Sequence, residues 1–217
     1  MRESITVSGV VLKASPSGET DRRLVVLTRE RGKITVFARG ARRPGSVFMA
    51  VCRPFVFAKF SLYEGREAYN MKGAEVAEYF EGLAMDMERA CYASYFLEIA
   101  DYYTRENMRE NQMMVLIYQA LKALLKPVFS KELVRRIFEL KAMVINGEYT
   151  EEPPRKVSNS AAYAWEFVVL SPPEKIYTFT LTKEVLKEFS ACVEMNRRRF
   201  IDREFKSLEI LESLRIG

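Results

Sequence analysis

The spacing of apolar residues in the first 80 positions is typical of short β-strands. The predicted strands are residues 5–13, 23–28, 33–38, 51–63 and 66–71. Glycine, proline and serine residues separate them, with predicted turns at residues 15–18 and 30–32. Five short strands joined by glycine turns predict a small barrel, and the oligonucleotide-binding (OB) barrel is the five-stranded type.

Residues 18–46 contain the central hairpin of this predicted barrel. Because successive side chains of a strand point to opposite faces, the second hairpin strand has one apolar face and one that carries Thr35, Phe37 and Arg39. An aromatic ring near a guanidinium group is typical of surfaces that stack nucleic-acid bases. The alternative is that the hairpin only supplies a barrel core and that its arginines are ordinary solvated side chains.

Basic residues are concentrated in the same half of the chain. Residues 1–80 contain 14 Lys and Arg against 8 Asp and Glu, a net charge of +6, whereas residues 81–217 contain 20 against 21, a net charge of −1. Between residues 22 and 43 there are eight basic residues and one acidic residue. A basic patch on a β-rich module is typical of nucleic-acid binding, because neutralised phosphates release their counterions.

We therefore expect the barrel to bind nucleic acid mainly through phosphates, with Phe37 and Tyr63 available for base stacking. The candidate nucleic-acid-binding residues are Arg22, Arg23, Lys33, Phe37, Arg39, Arg42, Arg43, Lys59 and Tyr63.

Beyond residue 82 the apolar positions are too dense for strands and predict helices. The predicted helices are residues 83–105, 111–126, 130–146, 182–195 and 203–214, and residues 161–170 are predicted to be helical or extended. Ser130 is a predicted N-cap and Gly147 a predicted C-terminal stop. Residues 150–160 are a predicted linker, and the three arginines at 197–199 are expected between the last two helices as a solvated surface.

The predicted fold class is therefore α+β, with an N-terminal five-stranded OB-fold barrel at residues 1–80 and an all-helical bundle domain at residues 81–217. The chain has no run of about 18 uncharged apolar residues and does not begin like a signal peptide. We expect a soluble, cytoplasmic protein. Cys52, Cys91 and Cys192 are far apart in the sequence and are predicted to be reduced, mostly buried thiols.

Composition excludes several catalytic chemistries. The sequence has no histidine, so it can form neither an imidazole-dependent triad nor a Cys/His zinc cluster. Residues 40–47 have the glycine spacing of a phosphate-binding loop but lack the Lys and Ser or Thr that must follow. A nuclease that holds Mg²⁺ with Glu19 and Asp21 is a weak alternative, because two acids in one turn make a poor metal site. We predict no catalytic residue, no cofactor and no enzyme activity.

Four segments resemble the RecO family of bacterial DNA repair and recombination mediators, in order from about Ile5 to Leu214. They are GETDRRLVVLTRERGKITVFARGARRPGS, CRPFVFAKFSLYEGRE, RRIFELKAMVINGEY and FKSLEILESL. The resemblance implies that the candidate residues bind single- and double-stranded DNA and that the protein anneals complementary strands at the nucleoid. It also implies that the protein acts with RecR to replace single-stranded DNA-binding protein by RecA. From the residues alone, a basic OB barrel that binds RNA or ribosomes fits equally well.

The chain departs from the family pattern in one region. Many RecO proteins carry a four-cysteine zinc site after the helix that RRIFEL resembles, but residues 147–183 contain no cysteine. No zinc is therefore predicted, and the aromatic residues of this segment are expected to stabilise it by packing. They are Trp165, Phe167, Tyr177 and Phe179.

The resemblance also implies that the helical domain binds the acidic, Phe-terminated tail of single-stranded DNA-binding protein. The residues that match this site are Arg135 and Arg136. Leu133 and Leu140 lie a turn from Arg136 on the predicted helix and are added as its apolar neighbours. A guanidinium group beside an apolar groove could hold the carboxylate and the ring of such a tail. The alternative is that both arginines pair with Glu132 and Glu139 on an exposed helix face.

Overall fold

The computed structural model describes residues 4–216. Within them the chain forms five β-strands and then six α-helices, so the predicted fold class is confirmed. The strands are β1 Ser4–Ser17, β2 Asp21–Thr28, β3 Gly32–Ala38, β4 Phe57–Glu64 and β5 Tyr69–Glu78. They close into an OB-fold barrel in the order β1-β2-β3-β5-β4. In this barrel β3 and β5 run parallel, and all other neighbouring strands run antiparallel.

Alternation along the strands builds the barrel core. In β3, Ile34, Val36 and Ala38 are buried, while the residues between them are partly exposed. Their register partners in β2 include two more buried residues, Leu24 opposite Val36 and Val26 opposite Ile34. Full burial of one such side chain contributes about 1.5–3 kcal/mol relative to exposure. The apolar face therefore determines which side chains of the hairpin point outwards.

The predicted turn at residues 15–18 is wrong. Strand β1 continues to Ser17, which pairs with Asp21, and only Gly18, at φ 62°, begins the turn. The fifth strand, predicted at residues 66–71, is also displaced, since β5 runs from Tyr69 to Glu78. Its second half is rich in glycine and alanine, which favour strands only weakly, and this hides it in the sequence.

The predicted strand at residues 51–63 is wrong in its first half. Residues 39–56 form a loop between β3 and β4, here called the basic loop. Its apolar residues Ala41, Val51 and Cys52 are buried in the barrel core, so their pattern reflects burial and not strand structure. Burial raises the pKa of the Cys52 thiol to about 11, which keeps this group protonated and unreactive at neutral pH.

The helices are α1 Met87–Tyr103, α2 Asn111–Leu125, α3 Lys131–Ile145, α4 Asn159–Leu170, α5 Lys183–Phe200 and α6 Lys206–Ile216. The predicted N-cap and stop of α3 are confirmed. The Ser130 hydroxyl accepts a hydrogen bond from the Leu133 amide, and Gly147, at φ 74°, ends the helix. The Gly147 amide donates to the Val144 carbonyl, which satisfies one of the last carbonyl groups of the helix.

Three predicted boundaries among the helices are wrong. Helix α6 begins at Lys206 and not at residue 203. Helix α5 continues to Phe200, so the three arginines at 197–199 lie in its last turn and not between helices. Basic residues there interact favourably with the helix dipole, and Arg197 also pairs with Glu194 at 2.8 Å. Helix α1 begins at Met87 and not at residue 83, because Asp86 accepts a hydrogen bond from the Arg89 amide and a separate 3-10 turn precedes it.

The cysteine-free segment, residues 147–183, is stabilised by aromatic packing, as predicted. Trp165 is buried, and its indole N–H donates to a backbone carbonyl at 3.1 Å. The rings of Phe167 and Phe179 meet edge to face, with centroids 5.4 Å apart. The Tyr177 hydroxyl donates to a backbone carbonyl of α3 at 3.2 Å, and burial raises its pKa well above the ordinary value.

The chain divides into two compact units. The barrel unit contains the residues up to Glu81 together with Ala100–Met114, and the helical unit contains Gly82–Ile99 together with the chain from Val115 onward. The predicted domains, residues 1–80 and 81–217, stay a prediction. None of the helices formed by the described residues is long and apolar enough to cross a membrane.

The tip of the β2–β3 hairpin provides a test of packing in the barrel unit. Gly32 has φ 64°, and a Cβ atom there would lie 2.5 Å from the carbonyl oxygens of Arg105 and Met108. Gly32→Ala should therefore lower the free energy of unfolding by more than about 2 kcal/mol. Gly18→Ala is the matched control, because Gly18 has φ 62° and nothing within 4 Å of the added atom. It should cost about 1 kcal/mol. Equal losses in urea unfolding would contradict the close packing of the tip.

Candidate nucleic-acid interface

The outer face of the barrel carries a row of side chains across four strands. Arg23 in β2 pairs with Phe37 in β3, Phe37 pairs with Asn70 in β5, and Asn70 pairs with Tyr63 in β4. Directly paired residues on neighbouring strands share one face of the sheet. Adjacent strands lie about 4.8 Å apart, so these four residues, here called the cross-strand row, span about 14 Å.

The cross-strand row is open to solvent. Arg23 is exposed, and Phe37, Asn70 and Tyr63 are each partly exposed. The ammonium group of Lys72 lies 5.5 Å from the centroid of the Tyr63 ring, within range of a cation–π interaction. Aromatic rings, an amide and cations on one sheet surface can stack bases and hold phosphates at the same time.

The basic loop is fastened to the turn between β1 and β2. The Gly40 amide donates to the Asp21 carboxylate at 2.7 Å, and the Arg42 amide donates to the Thr20 carbonyl at 2.8 Å. The Arg42 guanidinium group also donates to the Gly18 carbonyl at 3.2 Å. The hydrogen bond from Gly40, helped by nearby arginines, holds the pKa of Asp21 below its ordinary value. Asp21 therefore positions the basic loop.

Six of the predicted nucleic-acid-binding residues come together on these two features. Arg23, Phe37 and Tyr63 belong to the cross-strand row. The other three are exposed at the start of the basic loop: Arg39, Arg42 and Arg43.

The three remaining predicted residues have partners within the barrel unit. Arg22 donates to a backbone carbonyl of the basic loop at 2.6 Å. The Lys33 ammonium group lies 3.1 Å from the Asp101 carboxylate. Burial alone would raise the pKa of Asp101, but hydrogen bonds from lysines hold this pKa below its ordinary value. Lys59 is the register partner of Glu75. Lys33 is partly neutralised by Asp101, and the role of all three residues in binding stays a prediction.

Sequence reasoning missed Asn70 and Lys72 as members of this surface. The predicted fifth strand ends at residue 71, which hides Lys72, and no sequence pattern shows that Asn70 lies between Phe37 and Tyr63. The parallel pairing of β3 with β5 joins residues that are far apart in the sequence. The only sequence feature that could have identified Asn70 is that it is a polar residue at an alternate position of a strand.

A buried ionic cluster lies on α3 in the helical unit. The side chains of Arg135 and Arg136 are 4% and 11% exposed, and both contact Glu139, which is fully buried. Arg136 also contacts Glu132 at 2.8 Å and Glu194 at 2.9 Å. Burial opposes the charged forms, but the pairing holds the pKa of Arg136 above its ordinary value and that of Glu194 below it.

This geometry differs from both expectations for α3. The arginines do pair with neighbouring glutamates, but on a buried face and not on an exposed one. Leu133 and Leu140 are buried as well, so no open groove lies beside Arg136 among the residues described. A tail peptide would have to displace a glutamate from the cluster. The tail-binding role of Leu133, Arg135, Arg136 and Leu140 stays a prediction.

The fold combines an OB barrel with a helical unit, and the barrel carries the candidate nucleic-acid interface. The family model "Recombination protein O N terminal" matches residues 1–80, and "Recombination protein O C terminal" matches residues 84–152. The chain is 37% identical to the DNA repair protein RecO of Alkaliphilus metalliredigens over 143 residues. That alignment covers 66% of this chain and 58% of the relative.

Two further relatives carry the same name. Identity to the DNA repair protein RecO of Desulforudis audaxviator is 37% over 138 residues, which covers 64% of this chain and 55% of the relative. Identity to that of Acetivibrio thermocellus is 24%, but the alignment covers 97% of each chain. The chain therefore belongs to the RecO family, and the resemblance seen in its sequence is confirmed. The second family match ends at residue 152, inside the cysteine-free segment.

The ionic cluster predicts a large loss of stability when one arginine is replaced and a small loss when another is replaced. Arg136→Ala would leave Glu139 buried without one of its partners and should lower the free energy of unfolding by about 3–5 kcal/mol. Arg198→Ala is the control, because Arg198 contacts Glu194 while its side chain is 76% exposed. It should cost less than about 1 kcal/mol. Thermal and urea unfolding would measure both, and a small loss for Arg136→Ala would mean that the cluster is not essential to the fold.

Metal content is a further prediction. Within residues 4–216, no group of three or more His, Cys, Asp or Glu side chains is placed to hold a metal ion. We expect purified protein to contain no stoichiometric zinc and to unfold at the same temperature with and without chelator. Elemental analysis and a thermal melt measure these quantities. One tightly held zinc per chain, or unfolding in chelator, would show that a metal ion stabilises the protein and would contradict the prediction.

Proposed function

We propose that this chain is a recombination mediator that binds DNA and acts without catalysing a covalent change. The observation that carries the proposal is the cross-strand row on the barrel, in the same unit as the exposed arginines of the basic loop. Family membership supports a role in DNA repair and recombination. It also favours DNA over RNA, which the barrel surface alone does not distinguish.

The surface suggests how two complementary strands could be brought together. The exposed arginines would hold phosphates, while Phe37 and Tyr63 would stack on bases. These arginines are Arg23, Arg39, Arg42 and Arg43. Neutralised phosphates reduce the repulsion between two strands, and counterion release supplies binding free energy. Because phosphate contacts carry no base information, the surface would accept any sequence. Binding of single and double strands, and annealing, follow from this chemistry.

We infer the protein partners from the family. The chain would act with RecR at the nucleoid to replace single-stranded DNA-binding protein by RecA, and the helical unit would take the acidic tail of the displaced protein. The buried cluster affects how the tail site should be tested. Arg136→Ala is a poor probe of tail binding, because loss of a buried ion-pair partner would disturb the fold itself.

Salt dependence and two double variants test the DNA interface. If about four phosphates are contacted, log K for a single strand should fall with log salt at a slope near −3. Arg42→Ala with Arg43→Ala should make that slope shallower by about 1.4 and weaken all sequences alike. Phe37→Ala with Tyr63→Ala should weaken single-strand binding at least about fivefold and leave the slope unchanged. Fluorescence anisotropy at several salt concentrations measures both quantities.

Lys33→Ala is the internal control, because Lys33 is paired with Asp101 and should contribute less than the loop arginines. Annealing of complementary oligonucleotides, with and without RecR, extends the test to the mediator role. Both double variants should anneal more slowly than wild type. Affinity that is indifferent to salt between about 50 and 200 mM would contradict the proposal. A clear preference for RNA of the same sequence would favour the RNA-binding alternative.

A further inference from the structure

The basic loop presents two exposed apolar side chains near its middle. Val47 is 81% exposed and Met49 is 36% exposed, and we call this pair the apolar knob. A single exposed valine needs no explanation. Here, however, the surrounding residues 39–56 contain four arginines and no acidic residue. The four arginines are all exposed: Arg39, Arg42, Arg43 and Arg53.

The apolar knob is held in place by the residues around it. Phe48, between its two members, packs against the barrel core. The Met49 amide donates to the Ser46 carbonyl at 3.1 Å, and the Cys52 amide donates to the Phe48 carbonyl at 3.0 Å. Phe48 packs inwards, whereas Val47 and Met49 on either side of it are exposed. The knob is therefore preorganised for contact and should lose little conformational entropy on binding.

An apolar contact among four exposed arginines restricts the chemistry of the partner. The partner must be a polyanion that also offers apolar surface between its charges. Nucleic acid has this combination, because the faces of its bases lie between charged phosphates. Proteins that kink or open a duplex insert apolar side chains between base steps, at an unstacking cost of a few kcal/mol. The cost is least where bases are already unpaired.

We propose that Val47 and Met49 contact unpaired bases at the junction between single-stranded and duplex DNA, while the flanking arginines hold the phosphates on either side. The inference rests on the proposed DNA binding and adds a preference for one DNA structure. Each loop arginine favours any DNA equally, whereas the knob favours a site where stacking is interrupted. A mediator with this loop would concentrate where a single strand meets a duplex.

The test uses the full chain and a double variant, Val47→Ser with Met49→Gln. Both positions are exposed, so the fold should be retained. The matched control is Met85→Gln, an exposed methionine that precedes an acidic residue in the helical unit. The probes are a single strand, a blunt duplex and a duplex with a single-stranded overhang, each with 2-aminopurine. In the overhang probe the fluorescent base lies at the junction.

The double variant should bind the overhang probe at least about fivefold more weakly than wild type, as expected for the loss of a base contact. It should bind the blunt duplex within about twofold of wild type, because the phosphate contacts are unchanged. Wild type should raise the 2-aminopurine fluorescence at the junction, and the double variant should not. The control Met85→Gln should match wild type on all three probes.

Val47→Trp provides an independent readout. The chain has one tryptophan, Trp165, and it is buried, so an indole at position 47 would be the exposed emitter. The overhang probe should quench its emission and protect it from iodide. Full iodide access in the presence of saturating DNA would overturn the proposal.

Failure of this inference is distinguishable from failure of the proposed function. If wild type binds none of the probes, DNA binding itself is wrong. If wild type binds with the expected salt slope but the double variant gives equal affinity and an equal fluorescence rise, only the role of the knob is wrong. Vesicles rich in phosphatidylserine test the other anionic surface that suits a basic, apolar loop. Loss of vesicle binding with retained junction binding would assign the knob to a membrane and overturn the proposal.

Discussion

Closure of the barrel through a short parallel pairing between β3 and β5 is the constraint on which the candidate interface depends. The pairing joins Val36 with Tyr69 and Phe37 with Asn70. Without it both strands would present unpaired edges, which favour aggregation. With it, Phe37 acquires a polar neighbour and the row continues to Tyr63. A slip of one residue in β5 would turn Asn70 inwards and Met71 outwards, and would break the row.

The first of the four segments that resemble the RecO family, residues 18–46, is held together by hydrogen bonds between its two ends. The Asp21 carboxylate, near the start of this segment, accepts a hydrogen bond from the Gly40 amide near its end. Arg42 is fastened to Gly18 and Thr20 in the same way. The Gly40 bond uses the Asp21 carboxylate, whereas the two Arg42 bonds use backbone carbonyl groups, and together they position the basic loop. The loop can then present four exposed cations without an acidic residue in its own sequence.

Arginines in the two units differ in burial and pairing. In the helical unit, Arg135 and Arg136 are buried and paired with carboxylates, so they stabilise packing and offer little charge to a partner. In the basic loop the four arginines are exposed, and the loop contains no acidic residue. The exposed arginines of the basic loop therefore contribute positive charge to the surface of the barrel unit.

The sequence by itself determined the local features of this protein. Alternation identified the buried face of β3, Ser130 and Gly147 marked the ends of α3, and composition located the positive charge. These predictions succeed because each depends on neighbouring residues. The tertiary structure alone decided which distant groups meet. It placed Asn70 beside Phe37, paired Lys33 with Asp101, and buried Arg136 against Glu194. Periodicity shows which face of an element is apolar, but the partner on that face depends on strand register and helix packing between residues far apart in the chain.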